Sequence, residues 1–481
     1  MSKRESDDFG INQAIYKAPY NPKDCQVGVI HIGLGNFHRA HQAVYFHKLL
    51  SKTKFTNWGI AAVNLRPKDS SVVRSLRNCD NKYILKTISP NGDIRYEEIK
   101  SILAAYEWRE QQEDVLLLFS SSDIQLITIT VTEGGYYFDN NHHLDLSAPD
   151  IRDDLESDTP KTIFGSLYQG LRYRMVNGGG PITVSCCDNL QGNGQLLEKC
   201  FVQYISAKND IDLLHWVAEN VSFPSSMVDR ITPKGDINQL QEINKKFGLK
   251  DNCSVIAEEY IQWVIEDNFA GTRLPLEDVG VEIVENVQPY EEAKIHILNA
   301  GHTVLTYLGI LRGYTTYDSA LLDPELSVFF DSIQVQEILP ALNRESNINH
   351  KKYLEITKER LSNQYISDSL ARISVDGATK FTVFLLPVIE WNLSKGLLPE
   401  YSIRAIAGWY VFLCKVITNG IEFDYIDPKW DILVPYLIEG GEHEFAHSSK
   451  LWGDIPQRHP DFANKIVEYI LALKVTYNVN I

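Results

Sequence analysis

The sequence predicts an α/β domain with a parallel sheet, followed by a mainly α-helical domain. In the first half, short runs rich in Val and Ile alternate with helix-like runs. A turn with Gly33 and Gly35 directly follows the first of these strands. From about Pro289 onward, helical periodicity dominates and few strand signals remain. We therefore predict two domains, at residues 1–285 and 286–481.

The elements of the first domain follow in chain order. "QVGVIHIG" at 26–33 and "WGIAAVNL" at 58–65 are typical strands, and "AHQAVYFHKLLS" at 40–51 between them is an amphipathic helix. "IQLITITVTEGGYY" at 124–137 predicts a longer strand, and "PITVSCCDN" at 181–189 another. Strands that alternate with helices indicate βαβ units and a parallel sheet.

The second domain is predicted from four long runs with a helical period. They are "AKIHILNAGHTVLTYLGILRGY", "ELSVFFDSIQVQEILPALN", "IRAIAGWYVFLCKVITNG" and "PDFANKIVEYILALKV". Residues 210–280 show no clear pattern, so the sequence leaves open which domain they belong to.

Composition and charge exclude several classes of partner. Of 481 residues, 44% are hydrophobic and 23% charged, which is typical of a globular protein. The net charge of −17 argues against nucleic acids and anionic membranes, because both require a basic surface. The seven cysteines include no C-x-x-C, so we expect neither a zinc finger nor a disulfide framework. The N-terminal stretch "MSKRESDDFGINQ" lacks the apolar core of a signal peptide, and we expect a cytoplasmic protein.

The glycine turn suggests a Rossmann-type fold that binds a dinucleotide. Gly33 would allow the tight turn, and Gly35 would let the backbone approach a pyrophosphate at the helix N-terminus. The third glycine of G-x-G-x-x-G is replaced by His38, so an ordinary strand-to-helix turn stays possible. Arg39 either supports phosphates or is simply solvated.

The end of the second strand predicts the preference for the cofactor. In "AAVNLRPKDSS", Asp69 is the candidate acid for a ribose 2′-hydroxyl, which favours NAD. Arg66 and Lys68 lie beside it, and a cation there can accommodate the 2′-phosphate of NADP. We therefore predict NAD, with NADP possible.

The stretch "KIHILNAGHT" places unusual polar residues in an otherwise apolar helix. On an α-helical wheel, Asn299 lies about 140° and His302 about 80° from Lys294, so all three can border one pocket. A desolvated lysine can act as a general base, and an asparagine amide can donate to an oxygen that gains negative charge. The alternative for Lys294 is a side chain that extends to solvent. His296 falls on another face and is interpreted as structural.

Six motifs occur in order along the chain: "HIGLGNFHRAHQA", "TVTEGGYY", "SCCDNLQGNG", "SFPSSMVDRITP", "QWVIEDNF" and "KIHILNAGH". Together they resemble the polyol-specific long-chain dehydrogenase/reductase family. The resemblance runs from about residue 26 to beyond 460 and is greatest for its mannitol dehydrogenase branch. Hexuronate reductases are close relatives within the family.

The resemblance implies a metal-independent oxidoreductase and a set of site residues. Lys294 matches the catalytic base, Asn189 and Asn299 the pair that stabilises the alkoxide, His302 the residue that orients the lysine and the substrate, and Glu291 a carboxylate that passes the proton to water. The positions that match the substrate pocket are Asp229, Arg372 and Lys380. The expected cofactor-binding residues are Gly33, Gly35, Phe37, Arg39, Asp69, Thr132 and Glu133.

The chain departs from the family pattern at three positions. Ala300 replaces the usual glycine after the catalytic asparagine, Thr382 stands where relatives often carry proline, and Lys68 stands where an acid is common. The residues alone also allow simpler interpretations. Asn189 suits a turn, Asp229 with Arg230 a surface ion pair, and Arg372 with Lys380 one solvated helix.

Three functions follow as hypotheses. The first is an NAD(P)-dependent dehydrogenase that interconverts a polyol and its ketose, of the mannitol–fructose type, with D-arabinitol as another possible substrate. The second is a hexuronate reductase acting on fructuronate or tagaturonate, in which Arg372 and Lys380 would bind the carboxylate. The third, from another class, is a catalytically inactive nucleotide-binding sensor. We expect a monomer or a weak homo-oligomer.

Overall fold

The computed structural model describes residues 15–479 apart from 53, 140, 234, 236 and 343–347. The N-terminal stretch considered for a signal peptide, 1–13, lies outside the described residues. The chain divides into two compact units, Met1–Ser89 with Asp93–Val287, and Pro90–Gly92 with Gln288–Ile481.

The strands of the first unit form three sheets. In chain order they are β1 (Tyr16–Lys17), β2 (Val27–Ile32), β3 (Gly59–Asn64), β4 (Tyr83–Ile88), β5 (Ile94–Ile99), β6 (Ile102–Glu107), β7 (Leu126–Ile129), β8 (Ile182–Cys186), β9 (Val221–Ser222), β10 (Ser226–Asp229), β11 (Val255–Glu258), β12 (Gln262–Glu266) and β13 (Glu282–Val284).

The largest sheet has six strands in the order β6-β3-β2-β7-β8-β9, and every neighbouring pair is parallel. Strands β2 and β3 are buried almost throughout, as expected for a parallel sheet covered on both faces. The hydrophobic side chains divide into two core clusters, one with Val29, Ile60 and Leu126 and the other with Ile30 and Ile127. Alternate residues of one strand therefore face opposite cores, and the predicted α/β class with a parallel sheet is confirmed.

Residues 210–280 belong to the first unit. They supply strands to a four-stranded sheet, β1-β5-β4-β11, and a three-stranded sheet, β10-β12-β13. The predicted long strand at 124–137 is wrong, because β7 contains only Leu126–Ile129. The chain turns after it, with positive φ angles of 67° at Thr132 and 49° at Tyr137.

The α-helices of the first unit accompany these strands. They are α1 (Asn36–Ala40), α2 (Gln42–Leu50), α3 (Ser70–Asn78), α4 (Gln112–Ser120), α5 (Pro149–Glu156), α6 (Ile163–Val176), α7 (Asn193–Ala207), α8 (Ile211–Asn220) and α9 (Ile237–Phe247). Short 3-10 turns occur at Pro22–Asp24, Pro67–Asp69, Glu133–Tyr136 and Leu276–Val279.

The second unit consists mainly of helices, as predicted. Its α-helices are α10 (Gln288–Ala293), α11 (Ala300–Leu311), α12 (Tyr317–Leu321), α13 (Pro324–Ile333), α14 (Leu339–Ala341), α15 (His350–Leu361), α16 (Leu370–Ser374), α17 (Gly377–Lys380), α18 (Leu386–Ser394), α19 (Glu400–Ile417), α20 (Trp430–Leu433), α21 (Glu442–Ala446), α22 (Ser449–Trp452), α23 (Ile455–Arg458) and α24 (Pro460–Thr476). A 3-10 turn occurs at Val434–Tyr436.

Helix α19 lies at the centre of the second unit and is buried along most of its length. It packs against α11 and α24. Three π-helical segments interrupt the α-helices of the described part of this unit, and we name them π1 (Lys294–Asn299), π2 (Gln334–Ile338) and π3 (Phe381–Leu385). Within the described residues, no helix combines the length and the apolar character needed to cross a membrane.

Candidate active site

The glycine turn after β2 requires a backbone conformation at position 33 that only glycine adopts easily. Its φ angle is +104°, and a Cβ atom there would lie 1.9 Å from the carbonyl oxygen of Thr130. Gly35 has an ordinary φ of −93° and precedes α1 as its N-cap. A Cβ atom on Gly35 would meet nothing within 4 Å, so this side of the turn is open to a ligand.

Two histidines hold the turn from inside the core. The Nε2 atom of His31 donates to the carbonyl oxygen of Gly33 at 3.0 Å, so its Nδ1 accepts from the Thr128 hydroxyl at 2.8 Å. Burial lowers the pKa of His31 to about 3, and the ring is therefore neutral. His38, at the place of the third glycine, stacks on His31 with ring centroids 3.3 Å apart. The histidine that replaces the third glycine of the motif thus forms a buried, stacked pair of rings with His31.

A cavity of about 270 Å³ opens beside the glycine turn. It lies at the carboxyl ends of β2, β3 and β7, where ligands bind in sheets of this type. Of the residues predicted to bind the cofactor, Gly33, Gly35, Asp69 and Thr132 line it. The other lining residues are Leu34, Asn36, Asn64, Leu65, Arg66, Val72, Thr130, Val131, Gly135, Tyr137, Lys161, Thr162 and Ile163.

Phe37, Arg39 and Glu133 do not line this cavity. The guanidinium of Arg39 donates to the carbonyl oxygens of Cys253 and Gly35 and to the Asn36 side chain. Oxygen atoms of the chain itself therefore accept the hydrogen bonds of this guanidinium. Phe37 packs on the hydrophobic core and stacks on His41. The structure therefore gives no support for direct phosphate contacts by Arg39.

Charges of both signs surround the end of β3. Asp69, Arg66 and Lys161 line the cavity, whereas Lys68 does not. Nη2 of Arg66 donates to the carbonyl oxygen of Val131 at 3.1 Å, and Nζ of Lys161 lies 3.0 Å from a carboxylate oxygen of Asp153. Lys161 was missed by sequence reasoning because it lies more than 120 residues after the glycine turn and in no motif.

Asp188 joins the loops that follow β7 and β8. Its carboxylate accepts from the backbone amides of Val131 and Thr132, at 2.7 and 3.0 Å, and from the Tyr136 hydroxyl at 2.6 Å. Burial is the largest influence and raises its pKa to about 6. Asn189, the next residue, is exposed in the loop after β8. The carboxylate therefore fixes the loop that carries the candidate Asn189.

In the second unit, Lys294 and Asn299 are the first and last residues of π1. The amide of Ala300 donates to the carbonyl oxygen of Ile295, which is an i→i+5 bond. The 140° separation of Lys294 and Asn299 expected from an α-helix is therefore wrong. A turn closed over five residues brings them closer to one face. Lys294 is buried, as is Glu291 in α10, so the simple extension of Lys294 into solvent is not observed.

Two candidate residues near π1 carry buried nitrogen atoms without a partner. Within the part of the chain that the structure describes, Nδ2 of Asn299 and Nε2 of His302 have no hydrogen-bond partner. A buried polar atom left unpaired costs about 1–3 kcal/mol, so such atoms need an explanation. Burial lowers the pKa of His302 to about 4, and its ring packs edge-on against Tyr317 at 4.7 Å. A neutral histidine and an amide are thus available to a ligand.

Arg372 and Lys380 are not on one helix, contrary to that interpretation of the sequence. Arg372 lies in α16 and Lys380 in α17, and Asp376 between them has a φ angle of +60°. Nε of Arg372 donates to Asp368 at 2.8 Å, and Nζ of Lys380 donates to the carbonyl oxygen of Ile373 at 2.6 Å. Burial lowers the pKa of Lys380 to about 8.

Asp229 and Arg230 are buried and do not form the surface ion pair that the sequence allowed. Asp229 ends β10, and the Arg230 guanidinium donates to the carbonyl oxygens of Glu258 and Ala40. The seven cysteines, all within the described residues, are free thiols. In the described residues, no group of three or more His, Cys, Asp or Glu side chains is placed to hold a metal ion.

The glycine turn yields a matched pair of variants. Gly33→Ala forces a Cβ atom against the Thr130 carbonyl at a positive φ angle, and we expect the free energy of unfolding to fall by about 2–4 kcal/mol. Gly35→Ala meets open space and should change stability by less than about 1 kcal/mol. Urea unfolding at pH 7.5 measures both. Equal stability of the two variants would contradict the geometry.

Asp188 predicts a specific dependence of stability on pH. Its folded pKa is raised from 3.8 to about 6, so between these values the folded chain keeps a proton that the unfolded chain has lost. The contribution of Asp188 is fully present below about pH 4 and is lost as the pH rises to 6. Relative to Asp188→Asn, the free energy of unfolding should fall by up to about 1.4 kcal/mol per pH unit in this window. Urea unfolding at several pH values tests this, and parallel curves for the two proteins would refute it.

Comparison with known proteins identifies both units. Residues 27–278 match the mannitol dehydrogenase Rossmann domain, and residues 286–474 match the mannitol dehydrogenase C-terminal domain. A D-arabinitol 4-dehydrogenase of Klebsiella pneumoniae is 34% identical over 452 residues, which is 93% of this chain and 98% of that protein. A mannitol 2-dehydrogenase of Cereibacter sphaeroides is 33% identical over 450 residues, with 93% and 94% covered.

Two solved structures have the same fold over nearly the whole chain. The ternary complex of Pseudomonas fluorescens mannitol 2-dehydrogenase with NAD and D-mannitol is 30% identical, with a TM-score of 0.85, and 96% of this chain and 94% of that chain are covered. A D-sorbitol dehydrogenase in substrate-free form is 29% identical with a TM-score of 0.87, and 97% of each chain is covered. This chain belongs to the mannitol dehydrogenase family.

Proposed function

We propose that this chain is an NAD-dependent oxidoreductase that interconverts a polyol and its ketose by oxidising a secondary CH–OH group. The observation that carries the proposal is the pair of buried nitrogen atoms on Asn299 and His302 that have no partner among the described residues, five and eight positions after the buried Lys294. The Asn299 amide can donate to a hydroxyl or carbonyl oxygen, and a ring nitrogen of the neutral His302 can donate to such an oxygen or accept from a hydroxyl. The relatives named for polyols agree with this chemistry.

The residues of the first unit fit a dinucleotide. The turn at Gly33 leaves open space at Gly35, next to the N-terminus of α1, where backbone amides can bind a pyrophosphate. Asp69 lines the cavity and can accept from a ribose hydroxyl. Arg66 and Lys161 line it as well, so NADP is a possible second cofactor. When bound, the nicotinamide supplies the acceptor for the hydride.

The proposed roles in oxidation follow from the side chains of the second unit. Lys294 takes the proton of the substrate hydroxyl, since burial disfavours the charged form of an amine and a neutral amine can act as a general base. Nδ2 of Asn299 donates to the oxygen as it gains negative charge. His302, neutral at pH 7, holds the substrate hydroxyl, and Glu291 passes the proton on to water. By resemblance, Asn189 stabilises the same charge and Asp229 contacts the substrate.

The structure favours a neutral polyol over a sugar acid. A carboxylate would need an excess of positive charge, but Asp368 offsets the charge of Arg372, and Asp376 and Asp427 are among the charges that act on Lys380. We therefore rank the hexuronate reductase hypothesis below the polyol dehydrogenase. D-arabinitol is a second candidate beside D-mannitol, since relatives named for each are equally similar to this chain. A non-catalytic sensor would not require the lysine and the two asparagines proposed for catalysis, and all three are present in this chain.

A substrate survey tests the proposed reaction. We expect oxidation of D-mannitol, D-arabinitol or D-sorbitol with NAD, unchanged by EDTA, because Lys294 takes the proton in place of a metal-bound group. The reverse reaction with D-fructuronate and NADH is the comparison. Turnover of fructuronate alone would contradict the polyol proposal, and binding of NADH without any turnover would favour the sensor.

The lysine is tested by Lys294→Ala, with the exposed Lys450→Ala as control. Loss of the base should lower kcat by about 10²–10⁴-fold, while NADH affinity, measured by fluorescence, stays at the value of the unmodified protein. A small primary amine in the buffer should restore part of the activity. An unchanged kcat for Lys294→Ala would refute the assignment of the base.

A further inference from the structure

Among the π-helical segments in the described part of the second unit, π1 packs against both π2 and π3. π-helical residues make up well under 1% of residues in globular proteins, and such segments often occur at functional sites. Their clustering around the segment that begins at Lys294 therefore calls for a physical explanation. Two side-chain hydrogen bonds supply it, one between π1 and each neighbour.

The first hydrogen bond joins π2 to π1. Nε2 of Gln334, the first residue of π2, donates to the carbonyl oxygen of Ile297 at 2.8 Å. Gln334 is fully buried, and its Oε1 has no partner among the described residues. Burying an amide whose oxygen has no partner costs folding free energy. The bond to Ile297 is therefore the contact that explains why a glutamine is buried here. The close approach also requires Gly301, where a Cβ atom would lie 2.8 Å from the same Nε2 atom.

The second hydrogen bond joins π1 to π3. His296 lies 2.8 Å through Nδ1 from the carbonyl oxygen of Phe384. Because a carbonyl oxygen only accepts, Nδ1 carries the hydrogen. Burial lowers the pKa of His296, which keeps the ring neutral near pH 7. The structural role expected for His296 from the sequence thus becomes a defined contact between two π segments.

These bonds hold the middle of π1, between Lys294 and Asn299. A return of π1 to α-helical geometry would remove one residue from the turn and rotate Asn299 by about 100° relative to Lys294. The carbonyl of Ile297 and the ring of His296 would rotate with it and lose their partners. The two contacts therefore favour the π register over the α register.

We propose that His296 and Gln334 are positioning residues that hold π1 in its π-helical register, so that Lys294 and Asn299 are presented together. This inference rests on the catalytic roles proposed above for Lys294 and Asn299. Neither positioning residue takes part in the proton or hydride transfer. Small misplacements of reacting groups can cost about 10²-fold in rate, so the effect should appear in kcat.

The variants are His296→Phe and Gln334→Met. Each replaces the polar side chain by an apolar one of similar size and so removes the hydrogen-bond donor. His296→Asn is the conservative variant, since an amide can replace the Nδ1 donor. Asn392→Leu is the matched control. Asn392 is buried in the same unit and donates to the carbonyl oxygens of Glu337, in π2, and Val388, in α18, so its hydrogen bonds hold π2 and not π1.

We expect His296→Phe and Gln334→Met to lower kcat ten- to hundred-fold, with NADH affinity unchanged and KM changed less than threefold. Hydrogen exchange of the amides in 294–303 should become faster in both. His296→Asn should recover most of the lost kcat. Asn392→Leu should lower the melting temperature by about as much as His296→Phe and Gln334→Met do. Its kcat and the hydrogen exchange of the amides in 294–303 should be unchanged.

The outcomes separate this inference from the proposed function. Faster exchange in 294–303 with an unchanged kcat would overturn the inference and leave the dehydrogenase intact. A loss of kcat in Asn392→Leu equal to that in Gln334→Met would also overturn it, because general destabilisation would then explain the effect. No turnover of any polyol by the unmodified chain would instead remove the proposed function.

Discussion

The first unit depends on a parallel sheet whose central strands, β2, β3, β7 and β8, are buried on both faces. Such strands pair all their backbone groups within the sheet and expose only their ends, so polar function is confined to the loops. In this chain the carboxyl ends of β2, β3 and β7 meet at one edge, beside the open cavity. The hydrogen bonds of His31 and Asp188 then fix the loops at that edge. Rigid loops on a buried sheet are what a preorganised cofactor site needs.

The second unit places its candidate catalytic side chains by a change in helical period. A helix places its polar side chains by its period, and a change of period within the helix moves them relative to one another. Segment π1 changes the period between Lys294 and Asn299. The polar atoms left unpartnered near it, on Asn299 and His302, cost stability that the surrounding apolar core offsets.

The two units share the use of buried histidines kept neutral by burial. His31 holds a glycine turn, His296 holds a π segment, and His302 is available to a ligand. In each of the three, burial lowers the pKa, so the ring is neutral. The rings of His31 and His296 each donate one hydrogen bond to a backbone carbonyl, and the ring of His302 has a nitrogen atom with no partner among the described residues. His31 is fully buried, whereas His296 and His302 are half-buried, and what separates structural from functional rings is whether the chain supplies a partner.

The sequence by itself determined the fold class, the glycine turn and the family, because strand and helix periods, positive-φ glycines and ordered motifs are local properties of the chain. It also identified Lys294, Asn299 and His302 as candidates, through polar residues in an apolar run. Only the tertiary structure decided the length of β7, the burial of Arg230, the internal bonding of Arg39 and the entry of Lys161 into the cavity. It also decided the π register of 294–299, since that depends on donors from Gln334 and His296 to partners that are far away in the chain. Contacts between distant residues leave no periodic trace in the sequence, and hydrogen bonds of this kind set the final geometry.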